Sequence, residues 1–169
     1  GSSVVATPAV TTTYTVTTTD ASGCSVTGTI VITINPIPSV NIAPNNPTLC
    51  FGQNVNLIAN GAATYSWSPA FGLNATTGST VVASPTITTQ YFVTGISAAG
   101  CSNNDSVLVT VYNLPQVTST PVSDWICNGT STVLNASGAI SYTWSPAASL
   151  SASLGATVTA TPKIGRAHV

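Results

Sequence analysis

Charge is what this sequence has least of. Its 169 residues include two Lys or Arg, three Asp or Glu and one His, a charged fraction of 3%, against ~25% in ordinary soluble proteins. So few charges argue against a conventional cytosolic enzyme. The lack of a Lys/Arg stripe excludes an electrostatic nucleic-acid binder, which must neutralise phosphates. No apolar run approaches the ~18–20 residues of a helical membrane span, and no signal-peptide pattern stands at the N-terminus. Catalytic equipment is scarce too. Asp20, Asp105 and Asp124 are not close-spaced carboxylate pairs, and the single His168 falls in an anomalous tail, so triad mechanisms lack a base. No phosphate-cradling glycine loop occurs. Asn103-Asn104-Asp105 has no calcium-loop pattern, and four Cys at long spacing do not resemble a zinc cluster. No catalytic residue, metal or cofactor is expected, and no enzyme.

What remains is hydroxyl and apolar: 29 Thr, 21 Ser and 43% hydrophobic residues. A chain rich in Val, Ile, Thr and aromatics with little net charge has the composition of a β-protein rather than of a disordered one.

The sequence repeats with a shift of 77. Gly1, Gly78 and Gly155 coincide, as do Pro8, Pro85 and Pro162. The same shift takes Tyr14 to Tyr91, Cys24 to Cys101, Pro38 to Pro115, Cys50 to Cys127 and Trp67 to Trp144, with no insertion or deletion. Fixed-period self-similarity is the signature of a tandem array. Asn35-Pro36-Ile37-Pro38 and Asn113-Leu114-Pro115 read as linkers. The expected organisation is therefore the C-terminal half of one repeat over 1–35, a complete repeat over 36–112, and the N-terminal part of the next over 113–162. Residues 163–169 depart from the repeat; Ile164 to Val169 resemble one frame of a sequencing-adapter oligonucleotide, so this tail is expected to be non-native.

Period-two alternation marks the strands. Val107, Val109 and Val111 alternate with Leu108 and Thr110, as Ile30, Ile32 and Ile34 do with Val31 and Thr33. Val55-Leu57-Ala59, Tyr65-Trp67, Val81-Ala83 and Tyr91-Val93 give further inward rows. Helical periodicity is absent. About seven short strands per repeat predict an all-β chain of tandem immunoglobulin-like sandwiches with Trp67 and Trp144 in their cores. Cys50 and Cys101 both flank turn residues, so a Cys50–Cys101 disulfide tying loops at one end is expected, worth about 4 kcal/mol in the loop-entropy model and requiring an oxidising compartment. Cys24 and Cys127 then pair with the neighbouring repeat or chain, for instance with each other between successive chains.

Cys50-x-Gly52-Gln53-x-Val55, Tyr65-x-Trp67-Ser68-Pro69, Gly78 to Pro85 and Gly100-Cys101-Ser102 resemble the tandem immunoglobulin-like (PKD-like) repeats of very large proteins secreted by Bacteroidetes-type bacteria. The resemblance implies an extracellular or cell-surface setting and a stalk, adhesin or fibre. Asp105-Ser106-Val107 resembles the O-glycosylation pattern of those bacteria, making Ser106 a candidate; Asn74, Asn104, Asn128 and Asn135 match the N-glycosylation acceptor pattern. Comparing copies, Phe51, Phe71 and Phe92 replace Asn128, Ala148 and Thr15, and Trp125 stands where the middle copy has Thr48. These four are expected to form an apolar interface patch. The function expected is a non-catalytic structural protein of an extracellular fibre or surface stalk, with copies of itself as partners and covalent glycans. The alternative is an adhesin binding glycans or host proteins through sandwich-end loops.

Overall fold

The computed structural model describes residues 3–162; the 163–169 tail lies outside the described residues. Every element among the described residues is a strand. In chain order they are β1 (Thr12–Thr19), β2 (Ser25–Ile32), β3 (Asn41–Ala43), β4 (Thr48–Cys50), β5 (Val55–Asn60) and β6 (Thr64–Ser68). They continue with β7 (Thr80–Ala83), β8 (Thr89–Ile96), β9 (Ser102–Tyr112), β10 (Thr118–Thr120), β11 (Thr132–Ser137) and β12 (Thr157–Ala160). Contacts divide the chain into two units after Tyr112.

The middle repeat closes as a sandwich. One sheet has the order β3-β5-β7 and the other β4-β9-β8-β6. All pairings are antiparallel except β4, which runs parallel to β9. A short first strand that starts in one sheet and finishes alongside the last strand of the other is the immunoglobulin-like arrangement. The predicted alternation is obeyed: Leu57, Val81, Tyr91, Val93 and Val109 are completely buried, while Ile58, Phe92 and Leu108 face outward. Trp67 is 3% exposed, and its indole Nε1 donates to the Gly78 carbonyl at 2.9 Å, so the ring fills the core without stranding its polar atom.

Polar atoms in this core are satisfied locally. The Tyr91 hydroxyl donates to the Phe71 carbonyl at 2.7 Å, fixing the loop after β6, and burial pushes the phenol pKa up. Tyr91→Phe should therefore cost about 1–2 kcal/mol, since it leaves a loop carbonyl without its donor; urea denaturation of the Phe variant measures it.

The flanking copies are halves of the same object. β1 and β2 form a two-stranded hairpin in which Tyr14 faces Ile30 and Thr12 faces Ile32. One repeat later Tyr91 faces Val107 and Thr89 faces Val109, the identical register. β10-β11-β12 reproduces β3-β5-β7: Leu134 faces Val158 as Leu57 faces Val81. The local hydrogen bonds are also copied. Trp144 Nε1 donates to Gly155 O at 2.8 Å, and the Tyr142 hydroxyl bonds the Ala139 backbone as Tyr65 bonds Ala62. The β3-β5-β7 and β8-β9 arrangements of the middle repeat thus recur in the flanking copies, whereas the counterparts of β4 and β6 at 125–127 and 141–145 form no strand.

The expected Cys50–Cys101 disulfide is corrected by this topology. Cys50 lies opposite Tyr112, the last residue of β9, whereas Cys101 immediately precedes Ser102, its first. An eleven-residue strand rising about 3.3 Å per residue separates them by about 35 Å. A disulfide tolerates a Cα separation of no more than ~7 Å. Both cysteines do flank turns, but at opposite ends of the sandwich, because β4 is parallel to β9.

Candidate functional site

The two ends of the complete sandwich carry the reactive side chains. At the entry end, the chain arrives through Asn35 and the proline-containing linker. There the Cys101 Sγ lies 3.7 Å from the Asn35 carbonyl, and Asn103 Nδ2 donates to the Pro38 carbonyl at 3.0 Å. Cys101 N donates to Ser97 Oγ at 3.2 Å, which holds the turn that presents the thiol. At the exit end, Phe51 N donates to the Tyr112 carbonyl at 2.8 Å, and Gln53 Oε1 accepts from Cys50 N at 2.9 Å. Cys50 is exposed and Cys101 partly so.

The β1–β2 turn repeats the entry-end design with a carboxylate. Asp20, which stands where the middle repeat has Ser97, accepts from Ser22 Oγ at 2.7 Å and from Cys24 N at 2.9 Å. Those bonds, the Ser22 hydroxyl first and the Cys24 amide next, hold its pKa below the usual value despite a smaller opposing effect of desolvation. Because the folded-state pKa is depressed, the stabilisation of this turn is present above the ordinary carboxylate pKa and is lost as pH falls through the lowered value. A carboxyl-carbon NMR titration should place the Asp20 midpoint below that of the same residue in the urea-denatured chain.

Asp105 and Asp124 do structural work. Asp105 Oδ2 accepts from Ile42 N at 3.0 Å, joining β9 to β3 across the edge of the sandwich. Asp124 accepts from Trp125 N and from Thr132 Oγ1.

Among the glycosylation candidates, Ser106, Asn74, Asn104, Asn128 and Asn135 are all exposed. Ser106 lies on the outer face of β9 opposite Phe92, with Gln90 Nε2 donating to its Oγ at 3.3 Å. Asn74 Oδ1 accepts from Val82 N and Asn135 Oδ1 from Thr157 Oγ1.

The expected aromatic patch does not assemble as one surface. Phe51, Phe71 and Phe92 are each about half exposed. Phe92 is level with Ser106, however, while Phe51 adjoins Tyr112, six residues further along β9 and thus about 20 Å away. Trp125, in the second unit, is 96% exposed. A substitution pattern between copies reports exposure but carries no distance, which is why the grouping failed.

A different apolar surface lies on the β1–β2 hairpin, where alternation reads Tyr14 and Val16 as an inward pair. Tyr14, Val16 and Ile30 are 36%, 62% and 64% exposed, although their counterparts Tyr91, Val93 and Val107 are buried. With Val4 and Gly28 they line an open trough of about 1120 Å³. This row occupies the same repeat positions as the buried Tyr91, Val93 and Val107.

No protein family and no curated protein matches the sequence. Among solved structures the chain is similar to extracellular cadherin domains 1–4 of protocadherin gamma B7. That match has 15% identity and a TM-score of 0.34, over 92% of this chain and 50% of the other. The chain thus spans half the length of that structure.

Proposed function

We propose that this chain is a non-catalytic structural element of an extracellular fibre or cell-surface stalk built from head-to-tail sandwiches. The supporting observation is the course of β9. The linker meets the sandwich at the Cys101 end, and the same strand delivers the chain to the opposite end at Tyr112. A domain whose entry and exit lie at opposite ends adds length with every copy. Head-to-tail contacts that do not close give open filaments rather than rings. Proline in the linkers restricts backbone freedom between successive copies.

Surface chemistry supports an extracellular role. Thr and Ser on the outward strand faces supply hydrogen bonding to water where other proteins place charge, and their hydroxyls offer attachment points for glycans. Negative-stain electron microscopy of the purified chain tests the reading. Extended filaments with sandwich-sized beads in line are expected, and dispersed single particles at every concentration would refute it.

A further inference from the structure

The outermost strand of the β3-β5-β7 sheet has the composition of a strand that adds to other chains. Residues 79–84, Ser-Thr-Val-Val-Ala-Ser, are rich in β-branched side chains and hold no charge, Pro or Gly. On an open edge such a segment is an aggregation hazard. Among the described strands the one sheet neighbour of β7 is β5, so its other side would present a row of free N–H and C=O groups. Soluble proteins commonly blunt such an edge with Lys or another charge. This chain, with a charged fraction of 3%, has almost none to place there.

A single residue closes the edge instead. Asn74 Oδ1 accepts from Val82 N at 2.7 Å, and Asn74 N donates to the Val82 carbonyl at 3.0 Å. Both backbone groups of Val82, in the middle of the strand, are thereby taken. Ser84 N donates to the Gly72 carbonyl at 2.7 Å and closes the next position along. The same connection seals the facing sheet, since Thr76 O accepts from Trp67 N at 2.8 Å beside β6. One repeat later the arrangement returns with a different side chain. Ser151 Oγ accepts from Thr159 N at 2.9 Å, and Ser151 N donates to the Thr159 carbonyl at 2.8 Å. Asn and Ser share a short side chain whose oxygen reaches a nearby backbone amide. What recurs from copy to copy is the acceptor, not the residue.

We propose that Asn74, and Ser151 at the same place in the next copy, are edge guards that deny β7 and β12 to an extended strand of a second copy. They act by occupying the hydrogen-bonding groups that strand addition needs, where a Lys would act by repulsion. Neither side chain titrates or is screened, so the protection does not weaken as salt rises. Asp105 gives β3, at the far side of the same sheet, the equivalent cover by accepting from Ile42 N at 3.0 Å. This inference is independent of the fibre reading, because head-to-tail growth uses the ends of the sandwich and strand addition uses its flank.

Hydrogen exchange and dye binding on the full chain test it. In the native chain the Val82 amide should exchange about a hundredfold more slowly than a solvent-exposed amide, although no strand pairs with it on that side. Asn74→Ala should cost Val82 about tenfold of that protection while Val81 and Ala83, paired with Leu57 and Val55 of β5, keep theirs. The same variant should bind thioflavin T after a lag about tenfold shorter than that of the native chain. Asn74→Ser, which installs the residue of the next copy, should behave as the native chain does. Val81→Ala hollows the core under the same strand and leaves its edge closed; compared at equal unfolded fraction, it should not shorten the lag. A Val82 amide that exchanges freely in the native chain would overturn the proposal. So would an Asn74→Ala chain that binds the dye no faster than Val81→Ala, or an Asn74→Ser chain that binds it as fast as Asn74→Ala.

Discussion

Trp67→Ala is expected to destabilise the middle sandwich by about 3–5 kcal/mol, the range for deleting a buried aromatic. Two losses combine. The indole sits between the sheets with Leu57, Tyr91 and Val93 in the same core cluster, and the void left by removing it cannot be refilled by β-strands that are already hydrogen-bonded on both sides. The Gly78 carbonyl also loses the indole N–H that it accepts. Since a domain of this size has only ~5–15 kcal/mol of stability in total, the variant should lose a large part of it. The equivalent Trp144→Ala should cost less, because Trp144 is only half-buried in its unit. Chemical denaturation followed by tryptophan fluorescence and circular dichroism resolves the two, and equal losses at both positions would contradict the burial argument.

Gly61→Ala is the second large effect. Gly61 has φ +96°, and a Cβ added there would stand 1.8 Å from the Ser39 carbonyl oxygen. The obstacle is backbone, so no rotamer change relieves it, and the turn between β5 and β6 must separate from the strand leading into β3. A disfavoured φ alone costs about 1–3 kcal/mol; with the clash the total should exceed about 3 kcal/mol. Gly138 repeats the arrangement, with φ +95° and 1.8 Å to the Gln116 oxygen. By contrast, Gly52→Ala meets nothing within 4 Å and carries only the cost of its φ of +87°. Thermal denaturation should therefore rank Gly61→Ala well below Gly52→Ala in melting temperature.

Much of the fold was readable before any coordinates. The 77-residue period came from landmarks that fall in core or turn positions, and such positions tolerate little change. The inward rows Leu57-Ala59, Tyr65-Trp67, Val81-Ala83, Tyr91-Val93 and Val107-Val109 are buried as their alternation implied, because period two is a direct property of the extended backbone. Turn chemistry does not say which end of a sheet a turn occupies. Cys50-Phe51-Gly52 and Ala99-Gly100-Cys101 look alike in sequence, yet one follows a strand parallel to β9 and the other precedes β9 itself. A three-residue parallel strand leaves no periodic trace, so the disulfide was assigned to one end when the thiols belong to two. The aromatic patch failed for a related reason, since similarity between copies reports burial and is silent about proximity.

The same correction places one thiol at each end of the complete sandwich, where no disulfide within the domain can form.

The separation of the two thiols in the complete repeat is the most direct test. With Cys24 and Cys127 replaced by Ser, nitroxide labels on Cys50 and Cys101 should give a narrow electron–electron distance distribution centred at about 30–40 Å, as a strand of this length requires. A distribution below about 15 Å, or a disulfide forming between these two residues within one chain, would contradict the parallel placement of β4 on β9 and everything built on it.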